Sequence, residues 1–344
     1  MTDCASEKRI FLGIDTSCYT TSAACVCVNG NSTEIVCDER ILLNVAAGER
    51  GLRQSDAVFQ HVRNLAVIMP KVLKTVDGRA IAGVGVSACP SGRAGSYMPV
   101  FLAGRSHALA VASALGVPIH EFTHQQGHIR AAAFDNEKLL GRDFFAFHLS
   151  GGTSELLQVD CEISHIEKVG GSSDINAGQL VDRLGVAMGL RFPAGKELEK
   201  LAAADLNGAS SADNKGVVLP ASVKGLTCSF SGVETKALNA LKNGADHGKI
   251  AVAIYDYIAR TLAKIVKNAL EETENIASAE NAGFASPRDF LFAGGVASSA
   301  ILRKMLADRL KRIPAVQHFS RPELSSDNAV GIAALAAEAE SCPK

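Results

Sequence analysis

The stretch IFLGIDTSCYTTSAACVCVNG, residues 10–30, contains two apolar runs separated by a short polar turn. The runs predict two strands, and Asn29-Gly30 predicts a tight hairpin turn before STEIVCDERILL, residues 32–43, forms a third. We therefore expect the chain to begin with a unit of strand, polar turn, strand, hairpin and strand.

A second passage, DFFAFHLSGGTSELLQVD, residues 143–160, follows the same pattern. Gly151-Gly152 stands where the first unit has Thr16-Ser17, so the match is one of pattern rather than of letters. A duplicated unit of this kind predicts two similar halves that face a cleft.

The remaining chain alternates between apolar strands and segments with a helical period. Strands are expected in AIAGVGVSA, VPIHEF and FLFAGG. Helices are expected at residues 53–74, 100–116, 178–190, 196–204, 233–242 and 248–273, with a capped helix at 325–340. Two polar stretches, residues 205–216 and 271–289, predict surface loops.

Composition indicates an ordinary globular chain of 344 residues and 36.0 kDa, long enough for two domains. A net charge of -1 gives no overall attraction to nucleic acid, although residues 303–312 hold a local group of cations. Nine cysteines without a C-x-x-C pair fit reduced thiols. With no signal-like or membrane-spanning apolar run, we expect a cytoplasmic protein.

Three turns have the chemistry of phosphate-binding loops, at residues 15–21, 150–154 and 294–299. Each follows an apolar strand and consists largely of Gly, Ser and Thr, whose N–H and hydroxyl groups can face an anion. A single turn of this type is often purely structural. Three in one chain, two of them in a duplicated setting, favour nucleotide binding.

His124 and His128 stand four positions apart, a spacing that places two imidazoles on one helical face within reach of one metal ion. The alternative is a helix start with two partly exposed histidines. A zinc peptidase needs glutamate directly after the first histidine, and Gln125 cannot act as that general base. The peptidase hypothesis is therefore rejected.

A metal site of this type needs a further ligand, for which Asp327 and His148 are candidates. Asp327 precedes the last helix and has a plain alternative as its N-cap. His148 lies among phenylalanine and leucine in an apolar strand, where a core histidine is the simpler interpretation.

Seven segments now resemble one known family in their order and spacing. They are GIDTSCYTTSAA, HQQGHI, LSGGTSEL, SSDINAGQLVDRLGVAMGLRFPAGKELEKLA, SFSGVETKAL, AGGVASSAILR and DNAVGIA. The sequence is similar to the TsaD/Kae1 family, which was formerly called glycoprotease or peptidase M22. The resemblance implies a duplicated actin/Hsp70/sugar-kinase (ASKHA) α/β fold, with two domains around a nucleotide and metal cleft.

The resemblance also implies an enzyme, one that transfers threonylcarbamoyl from threonylcarbamoyl-AMP to N6 of adenosine 37 in tRNA with a bound iron or zinc ion. It places the metal ligands at His124, His128, His148 and Asp327, and residues of the catalytic turn at Asp15 and Ser17. The implied nucleotide contacts are Ser150, Gly151, Gly152, Thr153, Asp182, Gly195, Gly294, Gly295 and Ser299. Implied partners are tRNA and either proteins of the same modification system or a second copy, and no membrane.

Several positions depart from the family pattern. The first loop has Tyr19 and Thr20 in place of acidic residues, and AGSYMP at residues 94–99 replaces a GPGL segment. Four further replacements lie near the cleft, at Ile175, Gln179, Glu234 and Ser299. Such a pattern is typical of a divergent paralogue.

We expect one half at residues 1–120 with 327–344, and the other at 121–326 carrying the histidine pair and the SGGTS and GGV turns. Two functions remain as alternatives to transfer onto tRNA. One is carbamoyl transfer to another acceptor, and the other is a nucleotide-binding partner without catalytic activity.

Overall fold

The computed structural model describes residues 8–17, 19–30, 32–45, 52–93, 95–208, 219–279 and 288–341. They form two compact units, and the first is discontinuous in sequence. Unit 1 comprises residues 1–134 and 323–344, and unit 2 comprises residues 135–322.

Unit 1 is built on a five-stranded sheet in the order β3-β2-β1-β4-β5. Its strands are β1 (Arg9–Asp15), β2 (Thr20–Asn29), β3 (Ser32–Leu42), β4 (Ile81–Cys89) and β5 (Ile119–Thr123). The first three strands are antiparallel, whereas β4 and β5 run parallel to β1. Its helices are α1 (Gln54–Thr75), α2 (Phe101–Leu115), α3 (His124–Ala132) and the final helix of the chain, α9 (Val330–Ser341).

Unit 2 is built on a seven-stranded sheet in the order β12-β11-β6-β7-β8-β10-β9. Its strands are β6 (Phe144–Leu149), β7 (Ser154–Val159), β8 (Ile166–Ser172), β9 (Val223–Lys224), β10 (Thr227–Cys228), β11 (Asp289–Ala293) and β12 (Val316–Phe319). Its helices are α4 (Ala177–Ala187), α5 (Gly195–Gly208), α6 (Ser231–Lys242), α7 (His247–Ala279) and α8 (Ala300–Leu310). The long helix α7 supplies much of the core of this unit, including the buried Tyr255 and Tyr257.

The two sheets share one topology. In unit 1 the antiparallel run β3-β2-β1 continues through the parallel strands β4 and β5, and in unit 2 the antiparallel run β8-β7-β6 continues through the parallel strands β11 and β12. The duplication that the sequence pattern predicts is therefore present in the order and direction of the strands.

The division between the units differs from the predicted boundaries. Residues 121–134 and 323–326 belong to unit 1, so the histidine pair lies there and not in the second half. The physical reason is packing, since β5 pairs with β4 and α3 packs along α9.

The loop predicted at residues 271–289 is wrong over its first part, because α7 continues to Ala279. Residues 271–274 are mostly exposed, and glutamate and alanine are good helix formers. Most of the loop predicted at 205–216 lies outside the described residues. No helix among the residues described is both long and apolar enough to cross a membrane.

Candidate metal centre and nucleotide pocket

Helix α3 begins at His124 because the residue before it is a strong N-cap. The Thr123 hydroxyl accepts a hydrogen bond from the backbone N–H of Gln126 at 3.1 Å, and the Gln126 side chain accepts one from the Thr123 N–H at 2.8 Å. This reciprocal capping fixes the first turn of the helix. His124 and His128 are one turn apart on this helix. Their rings consequently meet edge to face, with centroids 4.2 Å apart.

Two glycines allow α3 and α9 to approach closely. A Cβ atom at Gly331 would lie 1.9 Å from the carbonyl oxygen of Gly127, and one at Gly127 would lie 2.8 Å from the Ile332 side chain. A larger residue at either position would force the helices apart. The contact holds the start of α9, with Asp327 just before it, against the histidine-bearing face of α3.

Three side chains that could hold a metal ion meet at this contact. The Asp327 carboxylate lies 3.0 Å from Nε2 of His128 and 3.7 Å from Nε2 of His124. One ligand atom from each of the three residues lies within 4.8 Å of the others, and all three residues are half-buried. Two imidazoles and a carboxylate form a donor set that suits zinc or iron, so these residues fit a divalent transition-metal ion.

Asp15, at the end of β1, contacts the other ring nitrogen of His124. Its carboxylate lies 2.8 Å from Nδ1 of His124 and also accepts hydrogen bonds from the Ser17 backbone and the Ser87 hydroxyl, each at 2.7 Å. With only 1% of its surface exposed, Asp15 is a buried partner of the histidine. A carboxylate on the second nitrogen of a metal-binding histidine fixes the ring and its tautomer.

Burial and charge act in opposite directions on these groups. Burial alone would raise the pKa of Asp15, but the neighbouring His124 and the hydrogen bonds hold it well below the usual range. Burial alone would lower the pKa of His124, but the attraction of Asp15 outweighs it and raises that pKa. Burial alone would raise the pKa of Asp327, but the hydrogen bond with His128 outweighs it and lowers that pKa.

Ser17 is also buried, and its hydroxyl lies 3.4 Å from Nε2 of His124. The two residues predicted for catalysis, Asp15 and Ser17, are thus brought to the same histidine. The fourth predicted ligand, His148, lies near the end of β6 in unit 2 and is half-buried. Its role as a ligand stays a prediction.

Unit 2 contains a pocket of about 530 Å³. Two predicted turns contribute to its wall, the one after β6 and the one between β11 and α8, together with the start of α5 and one residue of α7. The lining residues are Ser150, Gly151, Gly178, Val181, Asp182, Pro193, Gly195, Lys196, Glu199, Tyr255, Gly295, Val296, Ser298, Ser299 and Pro322.

Six of the nine residues predicted to contact a nucleotide line this pocket, namely Ser150, Gly151, Asp182, Gly195, Gly295 and Ser299. Gly152, Thr153 and Gly294 belong to the same turns but are not among the lining residues. Sequence reasoning missed Lys196, Glu199 and Tyr255. The position of Glu199 four residues after Gly195 on α5 is the one signal that pointed to it, since residues i and i+4 share a helical face.

The turn after β6 is organised by its first residue. The Ser150 hydroxyl accepts hydrogen bonds from the N–H groups of Gly152 and Thr153, and the Ser150 N–H donates to the Thr153 carbonyl at 2.8 Å. A Cβ atom at Gly151 would meet no protein atom within 4 Å. Hydrogen bonds of Ser150 thus define the turn, and the space around a Cβ atom at Gly151 is open.

Ser299 and Glu199 line the same pocket at the start of α8. The Ser299 hydroxyl caps α8 by accepting from the Leu302 N–H, and it donates to the Glu199 carboxylate at 2.9 Å. The same carboxylate accepts from the Ile301 N–H at 3.2 Å. A carboxylate at a helix N-terminus is favourably placed relative to the helix dipole.

Three of the departures from the family pattern have a clear structural setting. Gln179 completes a capping box with Asn176 and accepts a hydrogen bond from its N–H at 3.0 Å. A carboxylate at this position would accept the same hydrogen bond. Ile175 packs against the core of unit 2. Glu234 on α6 faces Arg183 on α4 at 3.3 Å, so its charge is paired.

The group of cations predicted at residues 303–312 is largely engaged within unit 2. Arg303 donates to the carbonyl groups of Ala297 and Ser320, and Arg309 pairs with Asp256. Lys311 pairs with Asp308 at 2.5 Å. The field that these cations present to an external anion is reduced accordingly.

Solved structures with a similar fold cover nearly the whole chain. Component A of the (R)-2-hydroxyglutaryl-CoA dehydratase of Acidaminococcus fermentans matches with a TM-score of 0.53 and 15% identity, covering 97% of this chain and 100% of that one. Full-length HypF in its phosphate- and nucleotide-bound form matches with a TM-score of 0.57 and 12% identity, covering 98% of this chain and 47% of that one. At these identities the likeness shows the fold alone, and it confirms the predicted ASKHA fold.

Sequence comparison is more specific. A tRNA N6-adenosine threonylcarbamoyltransferase of Bordetella avium is 29% identical over 332 residues, which cover 96% of this chain and 91% of that protein. The family model described as TsaD, tRNA N6-adenosine threonylcarbamoyltransferase, matches residues 41–334. The matched range contains the histidine pair, Asp327 and every lining residue of the pocket. The chain belongs to the TsaD family of tRNA N6-adenosine threonylcarbamoyltransferases.

Proposed function

We propose that this chain transfers the threonylcarbamoyl group of threonylcarbamoyl-AMP to N6 of adenosine 37 in tRNA, with an iron or zinc ion held by His124, His128 and Asp327. The observation that carries the proposal is the convergence of these three ligands in unit 1. They come from two elements far apart in the sequence and are the positions that the family resemblance assigns to the metal.

The chemistry assigned to unit 1 is activation of an acyl-type group. A divalent ion bound there would supply a Lewis acid, which polarises a carbonyl or phosphoryl oxygen. Asp15 keeps the Nδ1 proton of His124 in place, so that the Nε2 lone pair is free for the ion. Because Asp15 is buried, we assign it to the positioning of His124 rather than to contact with substrate.

The chemistry assigned to unit 2 is binding of the adenylate. Its pocket is lined by Gly151 and Gly295 from two of the turns, where no side chain covers the backbone, and the Lys196 side chain adds a cation at the wall. Backbone N–H groups and a cation are the partners that a phosphate group prefers. The volume of about 530 Å³ falls within the range of ordinary ligand sites.

The test is reconstitution with purified protein, a divalent iron or zinc salt, threonylcarbamoyl-AMP and tRNA, with modified adenosine measured by nucleoside mass spectrometry. We expect product from the wild-type chain and none above background from His128→Ala. His165→Ala, which removes an exposed imidazole in unit 2, serves as the matched control and keeps activity. Absence of product from the wild-type chain, with an authentic family member active alongside, would refute the transfer to tRNA.

A second candidate function is transfer of a carbamoyl group to a different acceptor. It is favoured by Glu234, which places a carboxylate paired with Arg183 at a position where the resemblance expects lysine. This alternative predicts that metal and adenylate bind normally while tRNA neither binds nor reacts. Binding of labelled tRNA, measured beside adenylate binding, separates the two functions.

A further inference from the structure

Two cysteines of unit 1 lie opposite each other in the antiparallel pair of β2 and β3. Cys25 and Cys37 are register partners. Directly opposite residues of antiparallel strands project to the same face of the sheet, with Cβ atoms about 4.5–5.5 Å apart. Both side chains pack into the same apolar cluster, and both cysteines are free in this structure.

The two neighbouring thiols also shift each other's pKa. Interaction with the Cys25 thiol is the main cause that lowers the pKa of Cys37, and the same interaction together with burial raises the pKa of Cys25. Cys37 is half-buried, whereas Cys25 is fully buried. A small oxidant therefore reaches the thiol of Cys37 before it reaches that of Cys25.

The pair lies directly beside a register shift between Cys25 and Val26, and the general spacing of paired strands suits a disulfide there. Disulfide-bonded residues have Cα atoms about 4.4–6.8 Å apart, and opposite residues of antiparallel strands lie about 4.5–5.5 Å apart. Cys27, two residues along the same strand, is different because its register partner is Glu34. The strands thus supply one matched pair of thiols and one unmatched thiol nearby.

We propose that Cys25 and Cys37 form a modification site, which closes reversibly into a cross-strand disulfide when hydrogen peroxide reaches Cys37. The Cys37 thiolate attacks one peroxide oxygen, the O–O bond breaks, and hydroxide leaves, so that Cys37 becomes a sulfenic acid. The Cys25 sulfur then attacks the Cys37 sulfur, and its proton leaves with the sulfenic hydroxyl as water. Two thiols and one peroxide yield one disulfide and two waters, and a thiol reductant reverses the product.

The experiment exposes the full chain to hydrogen peroxide, alkylates the remaining thiols, and digests the protein with trypsin and Glu-C under non-reducing conditions. Cleavage after Glu34 and Glu39 isolates Cys37 in residues 35–39, apart from Cys25 and Cys27. We expect this peptide to be joined to the one that contains Cys25, with the loss of two hydrogen atoms. Fragment spectra identify the sulfur partner, and prior reduction removes the link.

Two variants sharpen the result. Cys27→Ser keeps the proposed pair and should give the same linked peptide as the wild-type chain, whereas Cys25→Ala should give none. The proposal is overturned if Cys37 of the wild-type or Cys27→Ser chain stays fully alkylatable, oxidises without linking, or links to another cysteine. Because the wild-type and Cys27→Ser chains decide the question, it does not depend on the folding of Cys25→Ala.

Discussion

The Asp15 carboxylate lies 2.8 Å from Nδ1 of His124, while Nε2 of the same ring faces Asp327 at 3.7 Å. One imidazole therefore contacts a fully buried carboxylate on one side and a candidate metal ligand on the other. Since Nδ1 is engaged with a carboxylate, the proton belongs there and the Nε2 lone pair is available to a metal.

Asp15→Asn tests this arrangement. The amide keeps the size of the side chain but loses its charge, and we expect metal affinity about 10–100-fold weaker, as for other carboxylate partners of metal-binding histidines. Competition against a chromogenic chelator measures the affinity. Asp38→Asn, at an ion pair elsewhere in unit 1, should leave it unchanged. Equal metal affinity in Asp15→Asn and the wild-type chain would contradict the positioning role.

Asp327→Ala tests the ligand set itself. Removal of the one carboxylate leaves two imidazoles, and we expect a larger loss of metal affinity than the 10–100-fold caused by a partner of a ligand. Elemental analysis after dialysis should show less than one equivalent of metal. The exposed Asp77→Asn is the control. A full equivalent of metal in Asp327→Ala would remove this residue from the proposed site.

Gly331→Ala tests the contact between α3 and α9. The added methyl group would lie 1.9 Å from the Gly127 carbonyl oxygen, so the helices must separate. We expect a loss of about 1–3 kcal/mol in the free energy of unfolding, with weaker metal binding. Gly232→Ala in α6, where the methyl group meets no atom within 4 Å, is the matched control and should be neutral or stabilising. Chemical denaturation with and without metal measures both effects.

Gly151→Ala separates ligand binding from stability in unit 2. Its methyl group meets no protein atom, and Gly151 lines the pocket. We expect nucleotide affinity about tenfold weaker, which corresponds to about 1.4 kcal/mol, with an unchanged melting temperature. Gly152→Ala has equal space and lies outside the lining residues, so it should bind normally. Isothermal titration with a non-hydrolysable adenine nucleotide compares the two, and equal affinities would argue against this pocket as the nucleotide site.

Asp174 should make unit 2 sensitive to acid. Burial alone would raise the pKa of Asp174. Hydrogen bonds from the backbone of Phe230 and Ser231 and from two serine hydroxyls outweigh burial and hold that pKa well below the usual 3.8. A lowered pKa in the folded state adds stability above the unfolded value, and that stability is lost as pH falls below about 3.8 toward the folded value.

Asp174→Asn should accordingly melt at a lower temperature than the wild-type chain at pH 7, and the difference should shrink as the pH is lowered below 4. Thermal melts followed by circular dichroism across this range measure it. Asp308→Asn removes an exposed ion pair and should change little. A difference between Asp174→Asn and wild type that is constant with pH would contradict the assigned role.

Local sequence patterns predicted the features that depend on neighbouring residues. The strand, turn and strand units at β1–β2 and β6–β7 followed from alternation and glycine turns, because these patterns act over a few residues. The spacing of His124 and His128 likewise predicted a shared face on α3. Asp327 had an equally good interpretation as a helix cap, and the family resemblance singled it out.

Features that depend on distant contacts were not accessible in the same way. Asp15 and His124 are 109 residues apart, and nothing near Asp15 indicates that its carboxylate holds an imidazole. The assignment of α3 to unit 1 depends on Gly127 and Gly331. That these glycines allow close approach is visible only when α3 and α9 are seen in contact. Tyr255 reaches the pocket from α7, whose sequence pattern shows only an apolar face.

The discontinuity of unit 1 has a consequence for biosynthesis. Asp327 follows His128 by 199 residues, and the whole of unit 2 is made between them. During translation the two histidines emerge long before their carboxylate partner, and α9 completes the unit only after Asp327 has been made. Metal binding at the proposed site should therefore require translation past residue 327, and a chain truncated before that residue carries the histidine motif without the proposed third ligand.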